Sequence, residues 1–340
     1  MPALDSSRSR TALVTGGTGT VGRVLVKRLL GDGWHVRVLS RKAEGAGTDG
    51  AIYVLGDLVT TRALGEAVRD CDLVAHCAIT KSGVDVQAAG DLADASIAAG
   101  VHRFVHVSTI SVYPIVPSGT IDETCGYVAP DSNDAYAVMK TRIEQTLLAR
   151  ADRLHLGILQ PANIVSPTTG WWTSGVLELM KKGRFILVDG GAGTANLVGV
   201  DDVAAAAARA AVADYASGSR FLIADGHPKP WRAYLQHLEL LAGGDGLEEM
   251  TADAAKRYSR RAMNASLVAR VTRRLTRTLA GAKPVLPMDD AAIDRFASRA
   301  VVSIERARRE LGYTPAETQW PAVPAASPSS MPAAPPPSMQ

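Results

Sequence analysis

Apolar positions between residues 11 and 161 follow two alternating rhythms. Runs of six to eight residues rich in Val, Ile and Leu are separated by longer stretches in which apolar residues return every three or four positions. The first rhythm suits strands buried on both faces, the second amphipathic helices. Thr11–Gly16 (TALVTG), His35–Ser40 (HVRVLS), Ala51–Gly56 (AIYVLG), Asp72–Ala78 (DLVAHCA), Arg103–Thr109 (RFVHVST) and Leu154–Pro161 (LHLGILQP) read as strands. Val21–Gly33 reads as a helix stopped by glycine, and Ser132–Asp134 supplies caps for a helix carrying Tyr136 and Lys140. The alternation predicts βαβ units and an α/β fold with a doubly wound parallel sheet. After Pro161 it loosens. Residues 166–320 are expected to form mainly a smaller lobe over the carboxyl ends of the strands, with some chain returning to the main sheet. Residues 1–9 are polar and residues 321–340 are dominated by Pro, Ala and Ser, so both ends are expected to be disordered.

The loop after the first strand sharpens this picture. Thr15–Gly22 reads TGGTGTVG, with Gly16, Gly19 and Gly22 in a G-x-x-G-x-x-G spacing between strand and helix. The glycines permit a tight turn, a close backbone approach to a pyrophosphate, and close packing of helix on strand. The free N–H groups around Thr20 and Val21 and the helix dipole then favour phosphate. In this context a dinucleotide site outweighs a plain glycine-rich turn, and residues 10–165 read as a Rossmann-type domain. The second strand ends in Ser40, Arg41 and Lys42, where an NAD site usually has an acid for the ribose 2′-hydroxyl. A hydroxyl and two cations suit a 2′-phosphate, so NADP(H) is favoured and NAD stays possible. Alternatively, Arg41 only caps a solvated strand end.

Bulk composition narrows the class. The chain is 46% hydrophobic and 21% charged, with a net charge of +3, too small to argue for a nucleic-acid partner. Its 3 cysteines form no CxxC pair, which suits a reducing compartment and gives no metal site. No apolar run is long enough to span a bilayer, and MPALDSSRSR lacks the apolar core of a leader, so a cytoplasmic protein is expected. Lys256–Leu279 has 8 basic and no acidic residues, with Leu267, Val268, Val271, Leu275 and Leu279 at near-helical spacing. It reads as a solvated basic face, a partner surface or an interfacial helix on anionic membranes.

Tyr136 and Lys140, four residues apart, lie on one face of their helix. Chance alone gives about 0.2 such pairs in 340 residues with 8 Tyr and 9 Lys, so the pair gains meaning only from its surroundings. Those surroundings resemble the extended short-chain dehydrogenase/reductase superfamily over about residues 11–318. GDL (Gly56–Leu58) is similar to its turn after the third strand, where Asp57 and Leu58 would meet the adenine. HCA (His76–Ala78) is similar to its loop along the cofactor, through Cys77 and Ala78. VSTISVYP (Val107–Pro114) is similar to the strand with the catalytic Ser/Thr, which falls on Thr109. YAVMK supplies the tyrosine and lysine, and QPANIVSP (Gln160–Pro167) resembles the loop by the nicotinamide, with Pro161, Asn163 and Ile164. LVGVDDVA (Leu197–Ala204) and SIERARRELGYTP (Ser303–Pro315) resemble two later signatures. Asp85 stands where the superfamily has an asparagine of its proton relay, Gln160 where it often has arginine, and Ser166 where it often has glycine.

The resemblance implies an NADP(H)-linked oxidoreductase with a Thr109–Tyr136–Lys140 triad. Lys140 would bind the nicotinamide ribose and polarise Tyr136, Tyr136 would exchange the proton, and Thr109 would orient the substrate oxygen. Ile110 and Ser111 after Thr109 disfavour a sugar-nucleotide dehydratase. Asn163 supports a sugar-nucleotide epimerase or reductase, whereas Ala195, at a place where epimerases carry arginine, does not. A small, fairly apolar keto or hydroxy substrate is favoured, with Trp171 and Trp172 either lining its pocket or packing the lobe. A non-catalytic NADPH-sensing regulator is the alternative of another class, although such proteins usually lose the tyrosine or lysine. A homodimer is possible. His76 and His106 read as packing or cofactor-loop residues, and Tyr113, with no lysine four residues on, as a competing tyrosine.

Overall fold

The computed structural model describes residues 10–42, 50–80, 83–244, 246–264 and 283–322. The expectations for residues 1–9, for 323–340 and for the 265–279 part of the basic segment lie outside the described residues. In chain order the first elements are β1 (Thr11–Thr15), α1 (Thr20–Gly31), β2 (His35–Ser40), β3 (Ile52–Leu55), α2 (Thr61–Val68), β4 (Leu73–His76), α3 (Asp85–Ala98) and β5 (Arg103–Val107). Then come β6 (Thr120–Ile121), α4 (Ala135–Leu148), β7 (Leu156–Pro161), β8 (Asn163–Val165), α5 (Val176–Lys182), β9 (Ile186–Val188), β10 (Thr194–Ala195), β11 (Leu197–Gly199), α6 (Val200–Ala210) and β12 (Ser219–Ile223).

Seven strands form one sheet in the order β12-β7-β5-β4-β1-β2-β3, and every pairing is parallel. Parallel strands covered on both faces need apolar side chains on both, and β4 and β7 are buried along their whole length. One face packs α1 and α6, with Leu25, Val26, Leu29, Val203 and Ala207 in its core; the other packs α2, α3 and α4, with Leu64, Leu92 and Ile143. The strand order reverses between β1 and β4. Loops leaving the carboxyl ends of those strands diverge there and open a crevice, the place where doubly wound sheets bind ligands.

The predicted strands are present, trimmed by a residue or two where the chain turns into loops: Ser108 and Thr109 follow β5, and Cys77 and Ala78 follow β4. The seventh strand, β12, comes from beyond the predicted run. It pairs with β7 in register from Ser219↔Gly157 to Ile223↔Pro161, and Phe221 at its centre is 0% exposed.

The remaining chain adds short two-stranded pairs and helices around a separate core of Val176, Phe185, Leu187, Trp231, Tyr234 and Phe296. In the helix Ala252–Met263, Lys256 and Arg260 are ion-paired to Asp294 and Asp290, so part of the basic segment packs on the helix Asp290–Ala297. Among the described residues no helix is long and apolar enough to cross a membrane.

Because Phe221 locks the late strand into the sheet, Phe221→Ala is expected to destabilise the protein by about 3–5 kcal/mol. Ile52→Ala, at a position 62% exposed on the sheet edge, should change stability by no more than about 0.5 kcal/mol. Equilibrium denaturation of both variants checks this.

Candidate active site

The glycine loop lies at the crevice. Gly16 has φ +70°, and a Cβ there would stand 2.8 Å from the backbone N and Cα of Ala78. The chain after β4 therefore runs against the glycine loop, and Cys77 N–H donates to the Thr15 carbonyl at 3.1 Å. A Cβ on Gly22 would collide with the Gly16 carbonyl oxygen, so α1 can start this close to the loop only with glycine there. Gly19 is the N-cap of α1 and makes no side-chain capping bond, so the N–H groups of Thr20, Val21 and Gly22 open the helix without a capping side chain. Bare N–H groups on a helix end, with glycines holding the backbone close, fit the diphosphate of a dinucleotide. Under the loop, His76 Nδ1 and Thr15 Oγ1 are 2.8 Å apart and the His76 ring stacks on His106 at 5.0 Å. Burial pulls both imidazoles below their ordinary range, His76 to about 3, so they are neutral packing groups.

The sheet end of β2 and β3 holds the second group of predicted residues. The Ser40 hydroxyl accepts from Lys42 N–H at 3.2 Å, while Arg41 and Lys42 are exposed. Asp57 Oδ1 accepts from Thr60 N–H at 2.8 Å and Val59 N–H at 2.9 Å, and the Thr60 hydroxyl first, then these backbone bonds and last the Arg41 charge, hold its carboxyl below the usual range. Leu58 is 8% exposed and belongs to the core under α2.

Thr109, Tyr136 and Lys140 meet where β5 faces α4. Thr109 caps the short turn Ile110–Val112, accepting from Ser111 N–H at 3.2 Å and donating to the Ser111 hydroxyl at 3.3 Å, and its hydroxyl lies near enough to the Tyr136 phenol to influence its titration. Tyr136 is 43% exposed and opens to the crevice, yet desolvation of its hydroxyl still raises its pKa, with the neighbouring Thr109 hydroxyl pulling the other way. Asp134 caps α4 by accepting from Ala137 N–H at 2.9 Å. Lys140 is 2% exposed, and its Nζ donates to the Val107 carbonyl at 3.0 Å. Burial lowers it to about 8, opposed by the carboxylates of Glu144 and Asp85 and by Cys77. Tyr136 and Lys140 share a helix face without bonding each other; the lysine is anchored on the strand below.

Sequence reasoning missed Glu144, which is 0% exposed one turn after Lys140. Gln160 Nε2 donates to its Oε2 at 2.9 Å and Oε1 at 3.1 Å, Tyr127 OH donates at 2.8 Å, and the Ser108 hydroxyl donates to Oε1. Tyr113, the competing tyrosine, is buried and donates to Gln160 Oε1 at 2.7 Å, and burial pushes its pKa far up. Arg220 of β12 lies over the Tyr127 ring at 4.9 Å and brings positive charge toward the carboxylate. The Glu at four residues from Lys140 was a visible signal, but that spacing reads as a surface ion pair. Arg295, from the lobe, was missed too: it pairs with Asp134 at 3.4 Å and its charge reaches Tyr136. Asp85, in the first turn of α3, is buried and accepts from Thr80 N–H.

The loop after β8 crosses toward α1, with Thr169 Oγ1 3.3 Å from Thr20 Oγ1. Pro161 ends β7, while Asn163, 8% exposed, and Ile164 pair with β11. The tryptophans separate. Trp172 packs on Trp231 at 5.0 Å and edge-on to Phe296 in the lobe core, while Trp171 is 62% exposed, laid over Gly175. Ala195 is buried in β10. Among the described residues no cluster of His, Cys, Asp and Glu suits a metal, and Cys71, Cys77 and Cys125 are free thiols.

Residues 12–224 match the profile of the NAD dependent epimerase/dehydratase family. The UDP-glucose 4-epimerase of Vibrio cholerae is 27% identical over 246 residues, 66% of this chain and 73% of that protein. The 2-alkyl-3-oxoalkanoate reductase of Stenotrophomonas maltophilia is 26% identical over 329 residues, 89% of this chain and 94% of that protein. Coverage is uneven: the match to a Sinorhizobium fredii protein spans 52% of its length. The crystal structure of gox2253 superposes with a TM-score of 0.70 at 21% identity, covering 91% of this chain and 94% of that one, which shows the shared fold.

Gly16→Ala is expected to weaken binding of both NADH and NADPH by about tenfold or more, about 1.4 kcal/mol, because the added carbon meets backbone that cannot swing away. Fluorescence titration with each dinucleotide measures it.

Proposed function

The chain belongs to the NAD dependent epimerase/dehydratase family, and within it we propose that this protein is an NADP(H)-linked reductase of a small, fairly apolar carbonyl compound. The observation that carries this reading is the convergence of the Thr109 and Tyr136 hydroxyls at the crevice, above a buried Lys140 and beside the glycine loop. The cofactor supplies hydride chemistry when bound; the protein's part is to bind, orient and move one proton. The N–H groups at the start of α1 would hold the diphosphate, and the Lys140 ammonium would bond the nicotinamide ribose. The Thr109 hydroxyl donates to the substrate oxygen and holds it at the Tyr136 phenol. Tyr136 gives its proton to that oxygen as the carbonyl carbon is reduced, and regains a proton through Lys140.

The preference for NADP(H) rests on Ser40, Arg41 and Lys42 at the end of β2, where two exposed cations suit a 2′-phosphate. Asp57 is held as a carboxylate by its own turn and stands near Arg41 at the same end of the sheet. The apolar-substrate reading is supported by the exposed Trp171 ring and Ile79, 50% exposed, and by Ala195 at the place where epimerases carry a diphosphate-binding arginine. The reductase of a 2-alkyl-3-oxoalkanoate among the relatives, matched along nearly its whole length, supports the same substrate class. A sugar-nucleotide epimerase is the second reading, favoured by Asn163 on β8 and by the match to a UDP-glucose 4-epimerase.

A panel of carbonyl compounds and UDP-sugars, assayed with NADPH and NADH, separates the readings. NADPH oxidation with an apolar ketone is expected, and conversion of a UDP-hexose without net cofactor turnover would replace this reading with the second. Tyr136→Phe is expected to lower turnover by about a thousandfold while NADPH still binds; retained turnover removes the tyrosine from the mechanism. Arg41→Ala should weaken NADPH by about tenfold more than NADH, about 1.4 kcal/mol, and equal effects would leave Arg41 as the partner of Asp57 alone. Lys140 carries its proton below about 8. Turnover at subsaturating cofactor is therefore expected to fall as the pH rises through that value, and a pH–rate profile reads the limb.

A further inference from the structure

The buried face of α4 mixes apolar Ala137, Ile143 and Leu147 with polar residues where packing favours apolar groups throughout. Lys140, Thr141 and Glu144 are all buried on it. Two of the three carry charge, and a charge taken out of water needs partners. Among the described residues Lys140 has one protein acceptor, the Val107 carbonyl. Glu144 has three donor side chains: Ser108 on the β5 side, Tyr127, and Gln160 on β7. The Gln160 carbonyl is occupied by Tyr113, so its NH2 faces the carboxylate. Burial raises the Glu144 pKa above the ordinary carboxylate value, and the side chains bonded to it all donate, the arrangement that favours the ionised carboxylate and acts against that rise.

The other groups facing Lys140 are His76 and Cys77 at the end of β4, His106 on β5 and Asp85 on α3. Both imidazoles are driven below their ordinary range and the Cys77 thiol up to about 12, so these three are neutral around pH 7. Asp85 and Glu144 are the two carboxylates that remain. Of these, Glu144 heads the opposition to the burial of Lys140, and it is the one fixed by three side chains.

We propose that Glu144 is the positioning residue that sets the charge of Lys140: its pinned carboxylate keeps the buried ammonium protonated for the cofactor ribose, and through Ser108 and Gln160 it fixes α4 against β5 and β7. The ribose contact rests on the functional reading above; the charge coupling does not. Glu144 touches neither cofactor nor substrate and acts through Lys140.

The test follows the titration of the Lys140 side chain by NMR of labelled lysine in the full-length, cofactor-free protein, with the Lys140→Arg spectrum identifying its signal. The wild-type midpoint is expected near 8. Glu144→Gln keeps the size of the side chain and removes the charge, and is expected to weaken proton binding at Lys140 by about tenfold, a midpoint lower by about one pH unit. The alkaline limb of the pH–rate profile moves down with it. Tyr127→Phe removes one hydrogen bond and leaves the carboxylate, so it should move the midpoint far less. A Glu144→Gln midpoint that stays in place, or a Tyr127→Phe shift of the same size, overturns the proposal and makes Glu144 a packing residue. If no carbonyl compound is reduced, the functional reading fails while the lysine titration still decides this one.

Discussion

Everything at the candidate site depends on how α4 is seated on β5 and β7. That seat is partly polar. The Glu144 carboxylate gathers Ser108, Gln160 and Tyr127 around one buried point, and Lys140, a turn earlier, is tied to the Val107 carbonyl. An apolar seat tolerates small rotations of a helix, because dispersion contacts are non-directional. Hydrogen bonds to two strands do not. The rotation of α4 decides where Tyr136 stands relative to Thr109, so the precision of the hydroxyl pair is set about two turns away from it. A reacting centre needs this kind of support, since small displacements of catalytic groups are costly.

The glycine loop is governed by steric exclusion instead. Gly16 and Gly22 allow three backbone segments, the loop, the start of α1 and the chain after β4, to approach more closely than any side chain permits. The absence of side chains leaves the helix N–H groups bare and aimed at one place. The lobe closes over the same region through the Thr20–Thr169 contact and through Arg295, which reaches from the helix Asp290–Ala297 to the cap of α4. Two loops of the sheet and one element of the lobe thus converge on a crevice that the strand order had already opened.

Much of this was legible in the sequence. The runs of β-rich residues separated by helical periodicity mark the parallel strands because such strands are buried on both faces and have no polar side to break the run. The glycine spacing marks the loop because backbone proximity admits no other residue there. Thr109, Tyr136 and Lys140 came out of motif order, and the structure brings them to one end of β5 and α4. β12 was harder to place, because a short apolar stretch surrounded by loop residues carries no sign of which strand it will pair with.

Local chemistry and periodicity therefore determined the α/β class and the glycine-rich loop, while motif resemblance singled out Thr109, Tyr136 and Lys140 as candidates. Tertiary structure alone decided their environments. Glu144 and Lys140 at a four-residue spacing look like a solvated ion pair, and only the approach of β5, β7 and β12 turns the pair into a buried charge system with its own donors. Trp171 and Trp172 are neighbours in sequence, yet one is exposed and the other packs into the lobe core. Burial is a property of what arrives from elsewhere in the chain. A residue's own sequence neighbourhood specifies which face it shares, not what will cover that face.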